Sequence, residues 1–471
     1  MNYSDSAFFL FIAAVFPSYY LVRTSTLQLL VLVVASLFFY AWQSPPLLGV
    51  FLCAWLITSL SSYGVLTANT PLQAKFSATV GVLMNLGLLG FFKYKVLWIH
   101  DFSDIAAKGS HSLGDWLVLA PLPIGISFYT FHGISLMVDV YRKNSAIAIE
   151  NSGMDGVMKH LANTLLYLVF FPQLIAGPII KAKDFFPQVG HKYLQEIDFA
   201  ACFRILVLGY FLKTVVADNL GEQTAWMAYP HFQRKSSLEL LLLLYGYSAQ
   251  IFADFAGYSL IAIGIAKLFG YRLPDNFNFP YLSSSISEFW RRWHISLSSW
   301  LRDYLYIPLG GNKYGVLRTY ANLIVVMFLG GLWHGAAWSF AFWGLWHGVG
   351  LVMERPWQKS WFMTSDHPFL RGFRVFLVFN FVSFGWLFFK LQDFSQAWAY
   401  LGSLLHNGVS GSELLRVFMV VTFSSIVFAY HFFGAYNRKI SPQLQSVLYG
   451  IMLFLIVTNS GPSTPFIYFQ F

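Results

Sequence analysis

The chain has 471 residues, of which 57% are hydrophobic, 19% aromatic and 11% charged. Soluble domains carry about 25% charged residues, so this composition excludes an ordinary globular enzyme and indicates an all-α, polytopic membrane protein. The formal net charge of +9 does not signal nucleic acid, because the basic residues fall in short runs between apolar segments, as orientation signals and anionic-lipid contacts do.

The first stretch, MNYSDSAFFLFIAAVFPSYYLVR, has no basic leader region and no small-residue cleavage site, and it reads as a retained membrane helix. No positive charge precedes it and Arg23 follows it, so its N-terminus is expected outside and the Arg23 loop in the cytoplasm. Hydrophobic runs follow at about 27–42, 47–66, 76–92, 116–138, 161–180, 203–216, 238–269, 321–352, 373–389, 417–433 and 447–457. Several approach the ~20 residues that span a bilayer. They predict ten to twelve spanning segments plus shorter re-entrant or interfacial ones. The runs at 238–269 and 321–352 are each long enough for one tilted helix or two pieces. Polar loops are expected at Asp101–Asp115 and Gln358–His367, and the absence of a long polar linker predicts a single membrane domain over 1–471. The two cysteines, Cys53 and Cys202, sit in apolar surroundings, and no histidine pair has ligand spacing, so no metal site is expected.

The middle third is interrupted. Leu122–Arg142 has Pro123 and Gly125 at its start and Asp139 with Arg142 at its end. The stretch FFPQLIAGPIIKAKDF has two prolines and then Lys181 and Lys183. Broken apolar segments are tolerated in membranes only when buried in protein or lining a wet cavity. Asp254 lies inside an apolar run, which calls for a basic partner or a chemical role, pairing being the commoner outcome.

The densest mix of Trp, Arg and Gly lies at 283–348. Ser285 and Glu288 fit a capping box. From there an apolar stripe (Ile286, Phe289, Trp290, Trp293, Leu297, Trp300, Leu301, Tyr304) predicts one helix ending near Pro308, with His294 on the stripe. The run at 321–352 is almost uncharged and holds His334 near its middle. A titratable ring there needs a partner or a job. GLWHG occurs twice, around His334 and His347. On one continuous helix the 13 residues between these rings mean roughly 220° of rotation and about 20 Å of rise, so both could not serve one site. His334 is the candidate base, and His347 is read as structural or interfacial.

A neutral imidazole beside a hydroxyl can take its proton during attack on an acyl carbon. No G-x-S-x-G elbow is present, which disfavours a covalent serine enzyme. Lys181, Lys183, Arg291, Arg292 and Arg302 suit the phosphates of a donor such as coenzyme A, and equally suit orientation charge and lipid contact. Broken helices with intramembrane His and Asp also mark transporters, although no inverted repeat is visible.

The motifs LPIGISFYTF, FPQLIAGPI, DFAGYSLIAIGIAKLFGYRLPDNFNFPY, FWRRWHISLSSWLRDYLYIPLGG and GGLWHGAAWSFAFWGLWHG together resemble the membrane-bound O-acyltransferase family, over about Leu122 to Gly350. Within it they are most similar to the bacterial branch of the alginate O-acetylation membrane protein. The resemblance implies about eleven transmembrane helices around a central funnel or tunnel. It implies an acetyl donor, acetyl-CoA, reaching the site from the cytoplasm, with no permanently bound cofactor. His334 matches the near-universal family histidine and His294 the second position of the pair. Asp254, Asn276 and Asn278 are weaker candidates for supporting roles. In that branch a separate periplasmic partner of the SGNH-hydrolase type often completes transfer, beside a polysaccharide synthase and secretion complex in the inner membrane. D-alanylation of teichoic acid and acetylation of peptidoglycan are alternatives on the same fold.

Overall fold

The computed structural model describes residues 1–42, 44–98, 113–143, 154–175, 177–408, 413–435, 441–462, 464, 466 and 467. Every regular element among these residues is helical. That follows from the solvent: hydrocarbon offers no hydrogen-bond partners, so a spanning segment must satisfy its own backbone. Among the described residues seven helices are long and apolar enough to cross a membrane, and Ser6–Leu21, Ser25–Ala41 and Pro442–Thr458 are shorter apolar helices. The chain is a multi-pass membrane protein. Residues 101–112 of the first expected polar loop lie outside the described residues, and the second contains the short helix Trp361–Thr364.

The chain divides into two compact units, Met1–Phe199 with Ile265–Pro274, and Ala200–Gly264 with Asp275–Phe471. In the first, Leu47–Leu66, Pro71–Trp98, Ile126–Tyr141 and Met154–Val169 pack on one another. Lipid-embedded helices associate through small residues and polar pairs. Here Gly81 faces Ser61 and Met137, and Gly133 faces Thr58 and Asn85. Asn85 Nδ2 donates to Thr58 Oγ1 at 3.1 Å, and Ser62 Oγ lies 2.8 Å from His160 Nε2.

Two expected runs in this unit are broken, as their Pro and Gly content requires. The run at 116–138 splits into Leu113–Leu119 and Ile126–Tyr141, with Gly125 between them at φ +70°. Only glycine fits there, because the Leu174 carbonyl would lie 2.7 Å from a Cβ. The run at 161–180 leaves its helix at Val169. Side chains then satisfy the irregular backbone: Tyr167 Oη donates to the Ile180 carbonyl at 2.9 Å, and Gln173 Nε2 donates to the Tyr167 carbonyl at 2.8 Å.

In the second unit the run at 238–269 is one 32-residue helix, Ser237–Leu268, most of which belongs to this unit. The helix Phe199–Tyr210 passes into a π-helical segment, Phe211–Ala217. There the backbones meet closely, since a Cβ on Gly257 would lie 2.8 Å from Lys213 N. The run at 321–352 is not one helix but two, Val316–His334 and Trp338–Glu354, which pack on each other, the second also on Pro368–Lys390.

Candidate active site

Ser285 begins the site-bearing stretch as expected, its Oγ accepting from the Glu288 N–H at 3.0 Å. The Glu288 carboxylate does not complete the box. It accepts from Ser284 N at 2.7 Å and Oγ at 2.9 Å and pairs with Arg292 at 2.7 Å. Burial pushes this carboxyl up, but the Ser284 bonds and the Arg292 guanidinium together hold it below the usual range.

The predicted single helix does not form. Ile286–Arg292 ends, His294 adopts φ +42°, and Ile295–Leu301 begins, followed by a π-helical segment, Arg302–Tyr306. A non-glycine residue in the left-handed region persists only where its surroundings hold it. The preceding loop does this. Asn278 N–H donates to the Arg292 carbonyl at 2.9 Å, and Ile295 N–H donates to the Asn276 carbonyl at 2.9 Å. Apolar spacing could not reveal this lacing, so the helix-long stripe is corrected to two short helices with His294 at the joint.

The joint fixes the imidazole. His294 is 1% exposed. Its Nδ1 lies 3.3 Å from Asn276 Oδ1, which also accepts from Ser296 Oγ at 2.6 Å and Ser296 N at 3.4 Å. Asn276 Nδ2 in turn donates to Ser259 Oγ at 3.0 Å. A backbone N–H can only donate, so the amide oxygen faces Ser296 and the contact to His294 is Nδ1–H donating. That tautomer carries its lone pair on Nε2, as a general base requires. Phe255 meets the ring edge-on at 4.6 Å.

His334 is the last residue of its helix, and Gly335 turns into extended backbone. The ring is 5% exposed and lies among Trp333 (4.9 Å between centroids), Trp343 (5.0 Å) and Phe389 (5.2 Å). Trp333 also lies 6.4 Å from His294, so both imidazoles flank one indole. The break at Gly335 also brings the second GLWHG copy back. Trp343 touches His334 and, at 4.9 Å, His347. The continuous-helix premise, under which the two copies were far apart, is corrected by this turn. His347 is fully buried and its Nδ1 accepts from Trp290 Nε1 at 3.3 Å.

The remaining candidates separate. Asp254 Oδ1 pairs with Lys213 at 2.8 Å, and Lys213 also meets Asp218 at 2.7 Å. Asn278 uses its backbone against Arg292 and lines an open cleft of about 830 Å³ with Arg292, Asp366 and Arg371. Neither His294 nor His334 lines that cleft. Arg291 is exposed, Arg292 is held by Glu288, and the exposed Arg302 pairs with Asp303 at 2.7 Å. Lys181 and Lys183 belong to the first unit, at a short turn over Ala182–Phe185. Sequence reasoning missed Lys213, Ser259, Ser296, Phe255 and Trp333. Only Lys213 left a signal, as a charge deep in the apolar run at 203–216, whose other charge, Arg204, stands at its start.

The model of the membrane-bound O-acyltransferase family matches residues 101–392. A probable alginate O-acetylase, AlgI, of Azotobacter vinelandii is 35% identical over 417 residues, covering 87% of this chain and 79% of that protein. The probable alginate O-acetylase AlgI of Pseudomonas aeruginosa is 35% identical over 456 residues, covering 93% and 83%. A peptidoglycan O-acetyltransferase of Helicobacter pylori is 35% identical over 407 residues, covering 82% and 75%. The transporter reading gives way to acyl chemistry, and the chain belongs to the membrane-bound O-acyltransferase family.

Proposed function

We propose that this O-acyltransferase takes an acetyl group from acetyl-CoA on the cytoplasmic side and passes it outward for O-acetylation of an exported polysaccharide. The His334 imidazole removes the proton of the acceptor hydroxyl as its oxygen attacks the thioester carbon. The C–S bond breaks, coenzyme A leaves as the thiol, and the acetyl ester forms. His294 acts as a second base, relays the proton or orients the reacting groups. The observation that carries this reading is the Asn276–His294 contact, which supports a base-competent imidazole beside the indole that also contacts His334. Arg291, Arg292 and Arg302 are proposed to hold the donor phosphates. A separate SGNH-hydrolase-like chain completes transfer outside the inner membrane, beside the polymer synthase and secretion complex, and the N-terminus faces outward.

The names of the alginate relatives support a polysaccharide acceptor. The Helicobacter pylori relative, at the same identity, favours peptidoglycan as the second reading. Base-released acetate from exported polymer and from cell walls decides between them in cells carrying His334→Ala. Loss from the polymer alone is expected. Loss from the wall alone selects the second reading, and full acetylation of both at normal protein level removes His334 from the reaction.

A further inference from the structure

Among the described residues that follow the helix Pro442–Thr458, Asn459, Gly461, Thr464 and Ile467 have no role in the reaction scheme and are fastened inside the second unit. The first fixings lie at the π-helical segment. The Asn459 carbonyl accepts from Asn219 Nδ2 at 3.0 Å, and Gly461 N–H donates to the Thr214 carbonyl at 2.9 Å. Gly461 lies so close to the helix that a Cβ would stand 2.6 Å from Asn219 N.

The next fixing is ionic. Lys213 donates to the Thr464 carbonyl at 2.9 Å while pairing with Asp218 and Asp254. Thr464 Oγ1 donates to Asp218 Oδ1 at 2.5 Å, and Ile467 N–H donates to Asp254 Oδ2 at 2.8 Å. One buried ammonium and two buried carboxylates therefore each bond to Thr464 or Ile467. Charge-assisted bonds of this kind, out of water, are the strongest polar contacts a fold makes.

The fixings place one aromatic ring. Phe466 is fully buried, with its ring 4.6 Å from Tyr258 and 5.6 Å from Phe255. Phe255 is the residue whose ring meets His294 edge-on at 4.6 Å. Direct contacts thus tie Lys213 and its carboxylates to Thr464, and tie Phe466, two positions along the chain, to Phe255 and through it to the His294 ring.

We infer that Phe466 and Thr464 are positioning residues for His294: together they form a latch that presses Phe255 against the imidazole and fixes its angle. The inference rests on the proposed role of His294. It also assigns Asp254 its place, as the anchor of the latch rather than a group touching substrate. Asn276 holds the imidazole at Nδ1, and Phe255, backed by Phe466, packs edge-on against the ring.

The test uses the full chain in lipid nanodiscs, with coenzyme A release from acetyl-CoA as one readout and carbethoxylation of individual histidines by diethyl pyrocarbonate as the other. Phe466→Ala is expected to lower kcat by about ten- to a hundred-fold with little change in KM, the scale of loss for a small misplacement of a reacting group. It is also expected to speed labelling of His294 while leaving the exposed His367 unchanged. Phe466→Leu should restore most of both, and Thr464→Val should act in the same direction as Phe466→Ala. Phe369→Ala, on an exposed ring, is the control. Should Phe466→Ala fail to fold, Thr464→Val carries the test. Unchanged His294 labelling in folded Phe466→Ala or Thr464→Val overturns the latch, as does lost activity that Phe466→Leu does not restore. Absence of coenzyme A release from the wild-type chain instead overturns the donor assignment, and labelling still decides the latch.

Discussion

Asn276 holds His294 through the same oxygen that Ser296 holds, so one carboxamide sets the loop, the helix start and the imidazole together. The ring nitrogen that faces Asn276 is thereby the donor, and the other carries the lone pair. Asn276→Ala removes this constraint. A supporting partner of a reactive histidine is worth about 10- to 100-fold, and kcat is expected to fall on that scale with KM little changed. Asn276→Asp keeps the accepting oxygen and should retain more activity than the alanine variant. Initial rates of both variants against acetyl-CoA check the order, and equal losses would remove the tautomer from the account.

His347 shares its pentapeptide and its Trp343 neighbour with His334 but not its hydrogen bonding. It accepts from Trp290 Nε1 and lies 6.0 Å from Phe289, stacked nearly parallel. His347→Ala leaves the indole N–H without its acceptor, at a cost of about 1–3 kcal/mol. The variant should melt earlier yet, per folded molecule, work at close to the wild-type rate. Thermal unfolding followed by indole fluorescence, beside the rate per folded molecule, separates the two effects. Loss of turnover at unchanged stability would move His347 into the reaction.

Composition alone made the membrane class legible, because 11% charge leaves no soluble alternative. Hydropathy also located Leu47–Leu66, Pro368–Lys390 and Leu414–Ala435 to within a few residues. His334 was visible because a polar ring stands out in an apolar frame, and His294 and Asn276 through the motifs that resemble the family. The geometry at His294 was not legible. Its helix break depends on backbone bonds to residues 276–278, and a helical stripe reads the same whether or not distant chain intercepts it. The turn at Gly335 was hidden for a similar reason, since a hydrophobic run long enough for one tilted helix also fits two short ones. The partner of Asp254 was foreseen as basic but not located, because the π-helical segment that presents Lys213 has no periodicity of its own.

Lys213 neutralises two buried carboxylates, and its removal exposes the cost of both. Lys213→Met leaves Asp218 and Asp254 without their cation, and breaking a buried pair in this way costs about 3–5 kcal/mol. The triple variant Lys213→Met, Asp218→Asn, Asp254→Asn removes the charges together and should recover a substantial part of the loss. Melting temperatures in one detergent order the three proteins as wild type, triple, single. A triple variant no more stable than the single would mean that shape, and not charge, governs the cluster.

The crossing of Val316–His334 with Trp338–Glu354 sets where His334 points, and it depends on two glycines. A Cβ on Gly331 would overlap the Phe340 carbonyl, and one on Gly344 would overlap the Met327 carbonyl. Backbone atoms cannot step aside as a flexible side chain can, so even one methyl group must part the helices. Gly344→Ala is expected to cost about 1–3 kcal/mol by overpacking, and to displace His334 with its helix end. Activity should therefore fall further than stability, because about 1 Å of misplacement can cost 10²-fold in rate. Gly49→Ala is the matched control: a Cβ there meets nothing within 4 Å, and alanine is the better helix former. It should leave both melting temperature and turnover at or slightly above wild type. If Gly344→Ala behaved as Gly49→Ala does, the close crossing would not be what holds His334 in place.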